Sequence, residues 1–153
     1  PAGYTNAIFQ YHKLVCRDPA QNRIFVHDTD TGKRVKEITD VQSDVLLSNR
    51  GVVYKDLAEN IYLQSWNGET AELLYEAGAH DQESVNYGTY DEEFLYGFVE
   101  EKTQCTLIKL SWEGGYERSK TFTGVEKAVQ LGFSVNHGVA GYWQNGQVIF
   151  EKV

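Results

Sequence analysis

The sequence lacks the features that would indicate a helical, membrane-spanning or nucleic-acid-binding protein. Helical periodicity is nearly absent, and no apolar run approaches the roughly 18 residues that a membrane-spanning helix needs. Acidic residues outnumber basic ones, 22 against 14, and no long basic block occurs. Because phosphate binding needs clustered Lys and Arg, we expect no nucleic-acid partner. Because a long apolar run is missing, we expect no insertion into a membrane.

Methionine is absent altogether, and the chain begins with Pro1. We therefore expect either that a leader was removed or that the sequence is part of a longer protein. No charged-then-apolar segment with the build of a signal peptide opens the chain.

Only two cysteines occur, Cys16 and Cys105, in strand-like stretches of different repeats. Two buried thiols are the simpler interpretation, because free cysteine packs as a small apolar residue, and a disulfide between them is the alternative. No phosphate loop, nucleophile elbow, Cys-x-x-Cys pair or His-x-x-x-His pair is found, and we predict no cofactor.

What the sequence does contain is a repeat of about 40 residues. Val15 matches Val53 and Asp18 matches Asp56, both at an offset of 38 positions. After a one-residue gap Ile24 matches Ile61 and Phe25 matches Tyr62, and after a second gap Gly32 matches Gly68. Each unit has about four short apolar stretches separated by polar turns. This period and strand count are typical of β-propeller blades.

We predict a single all-β domain over residues 1–153, built of about four blades of four-stranded antiparallel sheet. The blades are expected at about 5–40, 41–78, 79–124 and 125–153. The last blade has only three strand signals, near 130–135, 138–144 and 147–153, so its outer strand is predicted to be missing. Because an unpaired edge invites association, an open partial propeller, a four-bladed ring and a fragment completed elsewhere all remain open.

Turn residues and aromatic positions give two finer expectations. Asp30-Thr31-Gly32, Asn67-Gly68 and Asn145-Gly146 are expected to supply hairpin turns that need positive φ. The stretch 124–131 is interpreted as a loop entering a strand, and Trp143 is expected to pack in the interior.

Two segments resemble repeats of bacterial propeller families. Residues 22–38, NRIFVHDTDTGKRVKEI, resemble one TolB-like, YVTN-like or quinoprotein-like repeat: an apolar pair, an Asp, Thr-Gly-Lys and an outer strand. Residues 60–76, NIYLQSWNGETAELLYE, are similar to TolB-like repeats. The resemblance implies propeller blades and an extracellular or cell-surface location in a bacterium, with a cytoplasmic location left open. The WD-repeat pattern is poorly matched, because no unit has Gly-His followed by Trp-Asp.

The segment Asp28-Thr29-Asp30-Thr31-Gly32 resembles the start of a calcium loop, in which alternating carboxylates supply oxygen ligands. An EF-hand would also need an acidic residue at the twelfth position of the loop, where this chain has Thr39. We therefore predict a hairpin turn and no metal, with Asp28 and Asp30 as weak candidates only.

Acidic loops suggest a ligand-binding surface on one face of the predicted propeller. They are the loops between the second and third strands of each blade, together with the connection that contains His80. We predict binding of a cation, a sugar or a basic peptide there, with His80 able to do acid–base work; a solvated loop face is the alternative. The candidate residues are Asp18, Asp56, Glu59, His80, Asp81, Glu83, Glu100 and Glu101.

Trp66 and Trp112 occupy matching positions, where the third strand of a blade enters its hairpin. Exposed aromatic rings at these positions could stack on sugars, and the alternative is that they cover the blade edge.

Together these patterns predict a non-catalytic binding or scaffold module of a bacterial surface or secreted protein, with a protein or carbohydrate ligand. One alternative is a carbohydrate-binding or carbohydrate-active propeller. Another is an assembly piece that forms a homo-oligomer by strand addition through residues 146–153.

Overall fold

The computed structural model describes residues 6–42, 45–80 and 84–153. Across these ranges the strands form four antiparallel sheets in which neighbouring strands follow chain order. Three sheets have four strands and the last has three, which confirms the predicted all-β class and the short last blade. The fold is that of a partial β-propeller.

The strands of each sheet are consecutive along the chain. The first sheet contains β1 (Asn6–Gln10), β2 (Lys13–Asp18), β3 (Arg23–Asp28) and β4 (Arg34–Ile38). The second contains β5 (Leu46–Leu47), β6 (Gly51–Lys55), β7 (Ile61–Ser65) and β8 (Glu72–Tyr75). The third contains β9 (Val85–Tyr90), β10 (Phe94–Glu100), β11 (Gln104–Ser111) and β12 (Tyr116–Thr123). The fourth contains β13 (Ser134–Asn136), β14 (Val139–Gln144) and β15 (Gln147–Lys152).

Two 3₁₀ turns, Ala77–Ala79 and Ala128–Leu131, are the helical segments of the described chain. None of the described helices is long and apolar enough to cross a membrane. The first strand of the last sheet, expected near 130, begins only at Ser134. The 3₁₀ turn occupies the preceding residues and ends at Gly132, whose left-handed backbone (φ 54°) stops it.

The chain divides into two compact units, Pro1–Ala71 and Glu72–Val153. The core of the first unit is mostly aliphatic. One face of the first sheet supplies Val15, Ile24 and Val26, and the second sheet supplies Val52 and Tyr54. All five are buried, so alternate residues of these strands stabilise the unit by leaving water.

The core of the second unit is richer in aromatic residues, which are four of its nine buried members, and it lies between the third and fourth sheets. Phe122 and Tyr142 meet edge to face, with ring centroids 5.0 Å apart, and Phe98 meets Phe133 in the same way at 5.1 Å. Edge-to-face contacts add to the stabilisation that burial of the rings already gives.

The turn predictions are confirmed at two positions and wrong at one. Gly32, Asn145 and Gly146 have positive φ, as expected. Gly68 does not; a Cβ there would lie 2.2 Å from the Ser65 hydroxyl, so this glycine is needed for close approach. The Ser65 Oγ accepts a hydrogen bond from the Gly68 N–H at 2.9 Å, which holds the turn closed.

Both cysteines are free and buried, in agreement with the simpler of the two interpretations. Burial, helped by the charge of Glu100, raises the pKa of the Cys105 thiol to about 11. Burial also raises the pKa of Cys16. Since the thiolate is the reactive form, neither thiol is suited to nucleophilic chemistry at neutral pH.

Candidate functional site

The carboxylates predicted between the second and third strands act first as turn formers. The Asp56 Oδ1 accepts hydrogen bonds from the backbone N–H groups of Ala58 (2.8 Å) and Asn60 (2.9 Å). The Asp18 Oδ1 accepts one from the Ala20 N–H at 3.1 Å. Such side-chain-to-backbone bonds are the reason that Asp is favoured in tight turns. These two residues therefore have a local structural role, whatever they bind.

Glu59 lies in the same turn as Asp56 and pairs with a buried cation. The Lys55 Nζ lies 3.0 Å from the Glu59 Oε2, and the Lys55 side chain is only 3% exposed. A buried ammonium is costly unless it is paired. Glu59 thus stabilises the end of β6.

Glu100 and Glu101 serve two different elements of the second unit. Glu100 lies 2.9 Å from the Lys127 Nζ and accepts the Ala128 N–H at 2.8 Å, so it anchors the 3₁₀ turn. Burial opposes ionisation of Glu100, but these bonds outweigh it and hold its pKa below the ordinary value. Glu101 lies 3.7 Å from Arg118 on β12.

His80 lies in a stack of rings. Its imidazole is 3.9 Å from the Tyr116 ring centroid at an interplanar angle of 14°, and 5.4 Å from the Tyr75 ring centroid. The neighbouring candidates Asp81 and Glu83 lie outside the described residues. The predicted acid–base role of His80 and the continuous acidic surface, whose residues come from both units, therefore stay predictions.

The two matching tryptophans have the same hydrogen bond in two different sheets. The Trp66 indole N–H donates to the Ser48 carbonyl, and that of Trp112 donates to the Asp91 carbonyl, each at 3.2 Å. Both carbonyls belong to the turn that joins the first and second strands of a sheet. Trp112 is 3% exposed, and Trp66 is half-buried. This geometry supports the interpretation that they cover the blade edge, and it leaves no exposed ring face on Trp112.

The weak calcium candidates have protein partners. The Asp28 Oδ1 accepts the backbone N–H and the hydroxyl of Thr31, both at 2.9 Å, and its Oδ2 lies 2.8 Å from the Lys13 Nζ. These contacts, led by Lys13, hold the pKa of Asp28 far below its usual range. Asp30 lies 3.3 Å from His12 on the surface. Over the residues that the structure describes, no cluster of His, Cys, Asp or Glu could hold a metal ion.

Sequence reasoning missed Asp91, which joins the third and fourth sheets. Its Oδ1 accepts the backbone N–H groups of Glu93 and Phe94, both at 2.9 Å. Its Oδ2 accepts the Tyr96 hydroxyl at 2.8 Å and the Gly138 N–H at 3.1 Å. Burial opposes ionisation, but the four bonds prevail and lower the pKa of Asp91. A cavity of 370 Å³ opens beside it. The only sequence signal was an Asp in a turn between two apolar stretches.

Sequence reasoning also missed an exposed apolar surface on the fourth sheet. Trp143 pairs with Val148, and Gly141 with Phe150, so these residues point to the same side. Val139 lies two residues before Gly141 on that side. We call this surface the open face of the fourth sheet, and its apolar members are Val139 (41% exposed), Trp143 (52%), Val148 (56%) and Phe150 (73%). The expectation that Trp143 packs in the interior is therefore wrong.

The other side of the fourth sheet is buried against the third sheet. Ala140, Tyr142 and Val135 are at most 7% exposed there. Both sides of β14 are thus apolar, which is the pattern of a strand that is covered on two faces. A Trp or Phe at the surface is common in isolation, but a contiguous group of them marks an interaction site.

The fold and these surfaces define a chain of the β-propeller class. No protein-family model matches the sequence, and no curated protein matches it. The comparisons therefore do not confirm the bacterial repeat families that segments of the sequence resemble.

Among solved structures, the chain is similar to WD40 and other β-propeller proteins. It matches Hsv2p of Kluyveromyces lactis with a TM-score of 0.65 and 9% identity, over 99% of this chain and 50% of that one. It matches the β-propeller domain of Cps50 (Swd1) from Myceliophteria thermophila with a TM-score of 0.59 and 9% identity, over 98% of this chain and 54% of that one. It matches a streptogramin B lyase with a TM-score of 0.57 and 12% identity, over 99% of this chain and 55% of that one. The chain thus spans about half the length of these structures, and at such identities the likeness is one of fold.

Proposed function

We propose that this chain is a non-catalytic protein-interaction module. The observation that carries the proposal is the open face of the fourth sheet, where Trp143, Val148 and Phe150 form a contiguous exposed apolar group. Trp and Phe are enriched at the centres of protein interfaces, where their burial supplies much of the binding energy. The likeness to propeller structures supports the same conclusion, because propellers commonly serve as scaffolds.

The net charge of the chain favours a protein partner over a polyanion. The chain carries a net charge of −8, so a nucleic acid or an anionic membrane surface would be repelled. Binding should depend mainly on buried apolar area and only weakly on salt.

The proposal is tested by comparing the proteins that immobilised wild-type and variant chains retain from an extract of the source cells. Phe150→Glu places a charge in the centre of the open face. Val129→Glu is the control, because Val129 is 84% exposed on the 3₁₀ turn and does not belong to the open face. We expect at least one protein to be retained by the wild type and the control and lost from Phe150→Glu. Equal retention by all three chains would contradict the proposal.

Carbohydrate binding is a second candidate, and one observation supports it: the half-exposed ring of Trp143 offers a stacking platform of the kind that sugars use. A glycan array tests it, with Trp143→Ser as the variant. Specific glycan binding that the variant loses would support it, and no binding to any glycan would contradict it.

A location at the surface of a bacterium, or outside it, is proposed on the repeat resemblance of residues 22–38 and 60–76 alone. Fractionation of source cells with an antibody to this chain tests the location. Recovery in the cytoplasmic fraction only would contradict it.

Assembly by strand addition at β15 is a third candidate, since β15 pairs on one side with β14 and ends the fourth sheet. Edge pairing uses the backbone of β15, so it should survive Trp143→Ser in the neighbouring strand β14. Loss of assembly in that variant would contradict edge pairing.

A further inference from the structure

We propose that the open face of the fourth sheet binds the outward face of the first sheet of a second copy of this chain. The inference rests on the proposed function, because it names the partner of the same surface. Its starting point is that one face of the first sheet packs in the core of its unit, and that among the described residues no other sheet of that unit packs on the opposite face.

The outward face of the first sheet is defined by the strand register. Phe9 pairs with Leu14, and Ala7 with Cys16, which in turn pairs with Phe25. These residues alternate with Val15, Ile24 and Val26, which pack in the core of the first unit. Cys16 and Phe25 are buried on this face, at 9% and 6% exposed, and Phe9 at its edge is 68% exposed. The exposed aromatic ring of this face is therefore that of Phe9.

A cation also lies on this outward face. The Arg34 guanidinium carbon lies 5.2 Å from the centroid of the Phe25 ring. A guanidinium that stacks on one aromatic ring presents its other side to a second ring. In the proposed contact that ring is Trp143, since indole is the strongest cation–π partner among the side chains.

Sheet-on-sheet packing is already how this chain buries its apolar surface within each unit. Another sheet of the same kind is therefore the occupant whose shape fits a twisted, apolar sheet face. The chain corresponds to about half of the propeller structures it matches. Two copies together have eight sheets, within the usual range of about four to eight blades.

The contact joins two different surfaces, so it is heterologous and not self-complementary. Such a contact either closes into a ring or continues into an open chain of copies. In a ring every copy uses both its first-sheet face and its fourth-sheet face, and in an open chain every internal copy does. This requirement distinguishes it from pairing of two fourth-sheet faces.

Sedimentation velocity of the purified chain over a range of concentrations tests the proposal. The wild type should associate as concentration rises. Phe150→Glu, Trp143→Ser and Phe9→Glu should each weaken the association at least tenfold. Val129→Glu and Leu57→Glu are the controls, because both residues are exposed (84% and 55%) and lie in turns outside the two faces; they should leave it unchanged. Circular dichroism with a thermal melt verifies that each variant is folded.

Mixing two variants gives the decisive result. Phe9→Glu keeps an intact fourth-sheet face, and Phe150→Glu keeps an intact first-sheet face. An equimolar mixture should therefore form a heterodimer, although neither variant associates alone. Normal association of Phe9→Glu alone would overturn the proposal in favour of paired fourth-sheet faces.

A wild type that remains monomeric at the highest concentration would also overturn the second copy as partner. If that monomer still retains other proteins through Phe150, the proposed function stands and only its partner changes. If it retains none, both fail.

Discussion

The two sides of the fourth sheet both carry apolar side chains, but one side is buried and the other is exposed to solvent. On the packed side, Tyr142 is 3% exposed and Ala140 is fully buried against the third sheet. On the open side, Trp143 and Phe150 are 52% and 73% exposed. A sheet that faces water usually has polar residues on that side. Trp143, Val148 and Phe150 thus give the open face an apolar content that a sheet face in contact with water usually lacks.

Polar contacts link the packed side of the fourth sheet to the third sheet. At one margin, Asp91 in the β9–β10 turn accepts the Gly138 N–H at 3.1 Å. At another, Lys120 on β12 donates to the Tyr142 hydroxyl at 2.7 Å and pairs with Glu151 on β15. If the packed side stabilises the unit and the open side binds a partner, substitutions on the packed side lower stability. Substitutions on the open side then lower only association.

The largest expected effect on stability comes from exchanging Tyr142 for Ala. Deleting a large buried aromatic side chain costs about 3–5 kcal/mol, because both transfer energy and packing are lost. The matched change on the open face, Trp143→Ala, should cost less than about 1 kcal/mol. Urea unfolding followed by circular dichroism measures both. Equal losses would show that the Trp143 side is as important for stability as the buried Tyr142 side, and would contradict the prediction.

Asp91→Asn should follow, with a loss of about 1–3 kcal/mol, since an amide has one acceptor oxygen for four donors. The effect depends on pH. The folded-state pKa of Asp91 is lowered, so its stabilisation is present above the unfolded pKa of about 3.9 and is lost as pH falls through the folded value.

The unfolding free energy of Asp91→Asn should therefore change less with acidification than that of the wild type. The control is Glu92→Gln, because Glu92 lies next to Asp91 and its side chain is 79% exposed. A difference between wild type and Asp91→Asn that stays constant from pH 5 to pH 2 would contradict the account.

Trp112→Phe should cost about 1 kcal/mol, because it removes one buried hydrogen bond and keeps most of the ring. Trp66→Phe removes the same bond in the second sheet, where the ring is half-buried and water can replace the lost partner, so its loss should be smaller. Thermal melts of the two variants measure this. A larger loss at Trp66 would show that burial does not determine the value of this bond.

The smallest effect is expected for Lys120→Met, about 0.5 kcal/mol, because the side chains of Lys120 and Glu151 are each about a third exposed and water screens their attraction. Burial opposes the charged form, but Glu151 and Tyr142 raise the pKa of Lys120. This contribution is present below the ordinary Lys pKa of about 10.4 and is lost as pH rises through the folded value. Unfolding measured at intervals from pH 8 to pH 11 tests it. The loss in Lys120→Met should stay constant up to about pH 10 and shrink as the pH rises further, and a loss that grows above pH 10 would contradict it.

The repeat predicted the fold because its signals are local. Hairpin residues such as Gly32 and Asn145 and the apolar strands of each unit specify antiparallel sheets wherever they occur. The exception at Gly68 shows the limit: its turn is closed by the Ser65 hydroxyl, and a dipeptide pattern does not reveal that contact.

The candidate site was harder to predict, because exposure is a property of packing. Trp112 and Trp143 are both tryptophans in strand-rich sequence, yet one is 3% exposed and the other 52%. Alternation within β14 does not help, since Val139, Tyr142 and Trp143 make both of its sides apolar. Which side is covered follows from the position of the third sheet, and only the structure shows it.

The most direct test of the central claim is the molar mass of the wild-type chain and of Phe150→Glu, measured by sedimentation equilibrium at rising concentration. If the open face binds a second copy of this chain, the molar mass of the wild type increases with concentration and Phe150→Glu keeps a constant monomer mass. A constant monomer mass for both chains, or the same increase in both, would contradict it.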